Sequence, residues 1–307
     1  MTSITETLKQ QIKTLQAELN NPATDEARNL EIQKLIEENK NLLETTYKDL
    51  NKRNGVTLRE FEKMVDAKGN AVKRATGIEL IDEVFDGGFE EGMFINLVGE
   101  SGAGKSTIAL EILLNIAEFN KSVFIGLEMG DKLTLKKIRQ YGIRESHRDN
   151  LIIDIHSRDI EIVKREVSLY ANDGVKFFVI DSKMKLESSM KADEYKKISY
   201  ISGEISKLTQ QLGIIVILIN QISEENLKHN RVSLKGSGDQ IYDSDIVLVY
   251  KKAKDLTKRE MLVYKNRQNN KEGITIHTEL KNNRTVSTAK AEEREYKEDK
   301  EFLRSLV

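Results

Sequence analysis

The chain has 307 residues, of which 38% are hydrophobic and 32% charged, with 18 Gly and a single Pro, a composition that excludes a disordered or fibrous protein and favours a helix-rich globular one. Its 49 basic and 50 acidic residues leave a net charge of -1, so any polyanion has to be held by a local patch and not by the field of the whole molecule. With zero Cys, disulfides and thiolate metal sites are excluded and a reducing, cytoplasmic setting is favoured; no signal-peptide core and no run of ~18 apolar residues is present, which argues against secretion and membrane insertion.

In chain order, Ile4, Leu8, Ile12, Leu15 and Leu19 fall at three- and four-residue steps and predict an amphipathic helix, which Asn20, Asn21 and Pro22 break. Thr24 or Asp25 can cap a second helix carrying Ile32, Ile36, Leu43, Tyr47 and Leu50 before Gly55 stops it. Residues 1–54 therefore predict a helical hairpin. Neither helix can satisfy its stripe alone, so the hairpin packs on itself, on the core or on another chain; contact with a second subunit or a partner is the favoured reading. Residues 55–75 predict a linker with a short helix from Thr57 to Val65.

From Gly77 onward, β-rich runs alternate with helical patterns: strands at 93–98, 122–127, 176–180, 214–219 and 246–250, and helices at 106–119, 160–171 and 200–211. Strand-helix-strand rhythm predicts an α/β fold with a mainly parallel central sheet, and the fully apolar runs Phe177 to Ile180 and Ile214 to Ile219 predict strands covered by helices on both faces. Met261 to Lys265 and Ile274 to Leu280 predict a terminal antiparallel pair, which closes the core at about residue 285. Residues 286–307 predict a charged helical tail.

The strongest chemical signal is GESGAGKS, comprising Gly99, Glu100, Ser101, Gly102, Ala103, Gly104, Lys105 and Ser106, followed by Thr107. It matches G-x-x-x-x-G-K-[ST] between an apolar strand and a helix, the setting in which such a loop cradles phosphate. Glycines let the main-chain amides turn inward, the helix N-terminus adds partial positive charge, Lys105 neutralises phosphate and Ser106 can ligate Mg2+. ATP with Mg2+ is the ligand this implies. Lys176 to Asp181 is a buried strand ending in a carboxylate, and Asp181 at that end is placed to hold the metal with Ser106. Glu128, ending the strand that starts at Ser122, is a candidate base for the attacking water, although on spacing alone it is equally an exposed acid at a strand end.

Asn220 and Gln221 end another buried strand and are candidate γ-phosphate sensors. Beyond them Lys228, His229, Arg231 and Lys235 lead into Gly236, Ser237 and Gly238, a polar loop suited to a phosphodiester backbone; a plain surface loop is the other reading. Lys265 and Arg267 flank one residue and read from periodicity as a basic turn. The four histidines, His147, His156, His229 and His277, have no ligand spacing, which leaves Mg2+ as the only metal implied.

The order of GESGAGKST, SVFIGLEMG, VKFFVIDS, VILINQIS, LKGSGDQIYDSDIVLVY and VYKNRQNNKEG over roughly residues 76–280 resembles the RecA-like ATPase domain of DnaB-type replicative helicases. The resemblance implies Glu128 as catalytic glutamate, Asp181 as the Walker B acid and Gln221 as sensor. It implies Lys265 and Arg267 as cations that reach the nucleotide of a neighbouring subunit in a ring, usually of six, and Lys235 to Gly238 as the grip on single-stranded DNA. Such a protein hydrolyses ATP at subunit interfaces to move on DNA, in a bacterial cell or as a phage protein in a bacterial host, and meets a loader or replication protein through its N-terminal helices. The run Ile180-Asp181-Ser182 is closer to RadA and KaiC relatives, and the hairpin is too small for a primase-contacting domain. The alternative is thus a regulatory or recombination ATPase of KaiC or RadA type, without processive unwinding.

Overall fold

The computed structural model describes residues 2–21, 26–51, 55–69, 71–155, 157–190, 193–221, 243–253, 255, 257–281, 284–287 and 292–293. The chain divides into two compact units, Met1–Asn70 and Ala71–Val307. No helix among the described residues is long and apolar enough to cross a membrane.

In the first unit, α1 (Thr2–Leu19) and α2 (Glu26–Asn51) pack against each other and bury Leu8, Ile32 and Ile36 between them. Arg28 at the start of α2 donates to Glu18 near the end of α1 at 3.0 Å, which fixes the hairpin near its turn. The stripes seen in the sequence are therefore met at least in part within the hairpin itself, while Leu30 and Leu42 stay exposed. Helix α3 (Leu58–Lys68) starts at a capping box in which Glu60 and Thr57 satisfy each other's main-chain amides, and it ends at Gly69, whose φ of +73° suits a residue without Cβ.

The second unit runs β1 (Lys73–Arg74), α4 (Glu79–Val84), β2 (Phe89–Glu90), β3 (Phe94–Gly99), α5 (Lys105–Ala117), β4 (Ser122–Gly126), α6 (Asp131–Arg139), α7 (Glu145–Asn150) and β5 (Leu151–Asp154). It continues through α8 (Ile160–Asn172), β6 (Phe177–Asp181), α9 (Glu194–Leu212), β7 (Ile215–Gln221), β8 (Ile246–Lys252), β9 (Lys258–Asn266), β10 (Ile274–Lys281), β11 (Arg284–Ser287) and β12 (Glu292–Glu293). Strands β1 and β2 pair with each other; the rest form a ten-stranded sheet of order β11-β10-β9-β8-β3-β7-β6-β4-β5, with β12 also on β10. From β8 to β5 every pairing is parallel, and from β8 to β11 every pairing is antiparallel.

Successive residues of a strand point to opposite faces, so a strand covered on both sides must be apolar at every position. Ile95, Leu97, Phe124, Phe177, Val179, Ile215 and Ile217 pack with α5 on one face, whereas Phe94, Val123, Ile125, Phe178, Ile180, Val216 and Leu218 pack with α8 and α9 on the other. The expected α/β architecture, a mainly parallel sheet with helices on both faces, is what forms.

Helix α9 begins earlier than its apolar pattern predicts, because Asp193 caps it by accepting from the Lys196 amide at 2.8 Å. A helical tail from residue 286 is not what the described residues there form, since Arg284–Ser287 and Glu292–Glu293 are strands on β10. Contacts distant in sequence decide this: Glu111 on α5 accepts from the Thr285 amide at 2.8 Å, and Arg284 donates to Asn115 and to the Tyr141 carbonyl. Residues 294–307 lie outside the described residues.

Truncating Leu97, 1% exposed in the central strand β3, to Ala should destabilise the chain by about 2–5 kcal/mol in urea denaturation. Leu30→Ala, at a site 73% exposed, should change it by less than about 0.5 kcal/mol.

Candidate active site

Strand register gathers the site at one edge of the sheet. Gly99 ends β3 opposite Gln221 at the end of β7, and Asp181 ends β6 opposite Gly126 at the end of β4, so the chain leaves four neighbouring parallel strands side by side. The crevice beyond the carboxyl ends of such strands is where open α/β sheets bind ligands. A cavity of about 340 Å³ lies there, and Lys105, Ser106, Glu128, Asp181 and Gln221 all line it.

The loop from Gly99 to Ser106 needs its glycines at two points. A Cβ on Gly99 would sit 2.0 Å from the Tyr250 carbonyl oxygen of β8, and Gly104, the residue before α5, has φ of +101°. Lys105 is the first residue of α5; its Nζ donates to the carbonyls of Gly99 at 2.9 Å and Glu100 at 2.8 Å. Burial pulls its ammonium below the ordinary lysine value, against the opposing charges of Asp181, Glu128 and Glu100.

Asp181 is 1% exposed, and both carboxylate oxygens are buried without a hydrogen bond. Burial raises its pKa above the carboxylate norm; the adjacent Ser106 hydroxyl, near but outside hydrogen-bond geometry, pulls it down, Glu128 pushes it up, and Lys137 and Lys105 pull it down. A buried polar atom without a partner demands an explanation, and a divalent cation supplies one. Two orphaned carboxylate oxygens beside a hydroxyl form the hard-oxygen donor set Mg2+ prefers, so the residues present fit that ion.

Glu128 is exposed at the cavity and follows Leu127, with the amides of both residues donating to the Asp181 carbonyl at 3.2 and 2.6 Å. The two acids therefore stand on strand ends tied to each other through the main chain. Gln221 shares the cavity, but Asn220 does not: its amide is turned into the sheet and bonds Asn96 of β3, which in turn donates to the Ser244 hydroxyl at 2.8 Å. Asn220 thereby knits strands together instead of facing phosphate.

Lys265 and Arg267 lie at the opposite edge. Lys265 pairs with Val247 and Asn266 with Ile246, and Ile246 pairs with Ile95 near the start of β3. Lys265 donates to the Ser244 carbonyl at 2.6 Å, and burial first, then the charge of Arg267, brings its pKa down to about 8. Arg267 pairs with Asp245 at 3.2 Å. Lys228, Arg231, Lys235, Gly236 and Gly238 lie outside the described residues.

Two cations at the phosphate loop carry no sequence signal. Arg259 on β9 donates to the Ala103 carbonyl at 2.9 Å, bracing the loop from 156 residues away along the chain. Lys137 on α6 lines the cavity itself; the basic turn that holds it, with Lys136 and Arg139, reads as a solvated helix end.

A protein-family description, the KaiC ATPase, matches residues 74–293, more than half of the chain. RadB, a DNA repair and recombination protein of Methanococcoides burtonii, is 25% identical over 179 residues, 56% of this chain and 80% of RadB. The DNA repair protein RadA of Aquifex aeolicus is 27% identical over 158 residues, 50% of this chain but 34% of RadA. Among solved structures, a KaiC-like protein of Pyrococcus horikoshii OT3 superposes with a TM-score of 0.60 at 22% identity, covering 72% of this chain and 100% of that one. A second solved structure, also of an ATPase domain, gives 0.59 at 19% identity, covering 76% of this chain and 97% of that one. At these identities the two structures speak for the fold.

Asp181 provides a test that separates stability from chemistry. A carboxyl whose folded pKa lies above its ordinary 3.8 favours folding below that value, and the advantage is lost as pH rises through the folded pKa. Without nucleotide and Mg2+, Asp181→Asn should match the wild type in thermal midpoint near pH 3 and exceed it increasingly toward neutral pH, while losing ATP turnover; calorimetry across pH checks the first and phosphate release the second.

Proposed function

The chain belongs to the KaiC ATPase family, and we propose that it is a DNA-acting ATPase of the repair and recombination type, which uses ATP hydrolysis to remodel DNA-bound assemblies without processive unwinding. That it is an ATP-hydrolysing enzyme follows from the family; the buried, unbonded carboxylate of Asp181 beside Ser106 and Lys105 is the observation that carries the location of the reaction.

In this reading the amides of Gly99 to Ser106 and the N-terminus of α5 gather the β- and γ-phosphates, and Lys105 exchanges its carbonyl partners for phosphate oxygens. Ser106 and Asp181 hold Mg2+, which when bound neutralises charge developing on the phosphate oxygens. Glu128 accepts a proton from water as the water oxygen bonds to the γ-phosphorus; the bond from that phosphorus to the β–γ bridging oxygen breaks, and ADP and phosphate result. Gln221 donates to the γ-phosphate and loses that partner on hydrolysis.

The DNA assignment is supported by RadB, a DNA repair and recombination protein matched over most of its length. We assign Lys228, Arg231, Lys235, Gly236 and Gly238 to single-stranded DNA, and Lys265 and Arg267 to the nucleotide of a neighbouring copy in a homo-oligomer. A second reading, a hexameric DnaB-type helicase whose N-terminal helices meet a loader, is favoured by the order of the sequence blocks from GESGAGKST to VYKNRQNNKEG.

Steady-state hydrolysis with and without single-stranded oligonucleotide, beside strand displacement on a forked duplex, separates the readings. Several-fold stimulation without displacement is expected, with DNA binding that weakens steeply as salt rises. Unchanged turnover and no binding at low salt would sink the DNA assignment, and ATP-driven displacement would move it to the helicase. For action between copies, Arg267→Ala mixed with wild type should depress activity below the proportion of wild-type subunits; strict proportionality refutes it.

A further inference from the structure

Helix α6 supplies the cavity with a wall that neither the phosphate loop nor the strand ends provide. It starts at Asp131, just after Glu128, Met129 and Gly130 leave β4 at the phosphate edge of the sheet. Met129, Leu133 and Lys137 line the cavity, and their four-residue spacing places them along one helical face. Thr134 and Ile138 are buried on the neighbouring face and anchor the helix, whereas Lys132, Lys136 and Arg139 are exposed. A basic last turn by itself is ordinary helix-end electrostatics. Lys137 differs from its neighbours in being half-buried against the cavity, and its ammonium makes no hydrogen bond or ion pair among the described residues.

The other cation on this cavity, Lys105, is tied to the loop carbonyls of Gly99 and Glu100. Lys137 instead shares the cavity with Glu128, Asp181 and Gln221, the residues on the side where the γ-phosphate is transferred. Arg267 cannot serve there within its own protomer, because it sits at the far edge of the sheet. We propose that Lys137 is a catalytic cation acting in cis, which contacts the γ-phosphate and stabilises the charge spread over its oxygens during transfer. A point charge on a flexible stem suits that task, since the transition state is loose and its charge is shared among equatorial oxygens. The inference rests on the reading of this cavity as the ATP site.

The full chain carrying Lys137→Met, Lys137→Arg or Lys105→Ala is assayed for kcat, KM, thermal midpoint, and affinity for Mg-ADP and for a non-hydrolysable Mg-ATP analogue. Lys137→Met should lower kcat by about 100-fold, the scale of losing one preorganised charge donor. It should weaken the ATP analogue while leaving ADP affinity within about twofold, and Lys137→Arg should recover kcat to within about tenfold of wild type. A Lys137→Met protein with wild-type kcat overturns the inference. So does one whose ADP affinity, midpoint and kcat fall together without rescue by Arg, the pattern of a merely structural lysine. Nucleotide binding lost in Lys105→Ala beside a normal Lys137→Met removes this inference alone, whereas undiminished binding and turnover in Lys105→Ala removes the ATP site with it.

Discussion

A carboxylate enclosed by protein with both oxygens unbonded is what the rest of this fold is arranged around. Removing a charged group from water without compensation costs several kcal/mol, so a protein retains one only where its surroundings leave it no alternative position. Here the surroundings are rigid: Phe177 to Ile180 of β6 are buried on both faces, and the main-chain carbonyl of Asp181 is occupied by the amides of Leu127 and Glu128. The backbone at residue 181 is saturated while its side chain is not. The unmade bonds are thus held at a defined point at the sheet edge, where a hard cation and a phosphate can complete them.

The phosphate loop is fixed with comparable firmness, from three directions. Below it β3 is central to the sheet; behind it α5 is buried along nearly its whole length from Ile108 to Ala117; beside it Tyr250 closes on Gly99 and Arg259 bonds the Ala103 carbonyl. Lys105 both opens α5 and carries the charge that meets phosphate, so burial of the helix sets the position of the ammonium. Precision at the site comes from apolar packing remote from it.

What could be read from the sequence follows from the range of the interaction that carries it. Runs such as Phe177 to Ile180 and Ile214 to Ile219 state their own burial, and the loop with Lys105 and Ser106 is contiguous, so its chemistry stands in a single block. Gly99, Asp181 and Gln221 were legible as a group because parallel strands end at one edge once their order is set. Asn220 illustrates the limit. It adjoins Gln221 and has the same kind of side chain, yet strand alternation sends it to the other face, where Asn96 and Ser244 take it up. Lys137 and Arg259 reach the loop only through packing of α6 and β9, and Arg284 and Thr285 are held in a strand by Asn115 and Glu111, far away in sequence. Local pattern carries no trace of such contacts.

The sheet also separates two sets of cations by its own length. Lys105, Lys137 and Arg259 gather where β3 ends, whereas Lys265 and Arg267 stand near its start, bonded to Ser244 and Asp245. From Phe94 to Gly99 the strand rises about 17 Å, farther than a lysine or arginine side chain extends, so no rotamer change brings the second set to the first within one chain. The turn after Arg267 is itself immobilised: Gln268 bonds the carbonyls of Phe85 and Gly88 at 2.8 and 2.9 Å, Asn269 bonds that of Val84 at 2.8 Å, and Lys271 pairs with Asp86 at 2.6 Å. A basic turn needed only for solubility has no use for so many fixed contacts, whereas one that must present two charges to a surface outside the protomer does. Each protomer then carries a phosphate cavity at one end of its sheet and a rigidly mounted pair of cations at the other, and any nucleotide that meets Lys265 and Arg267 belongs to a different copy.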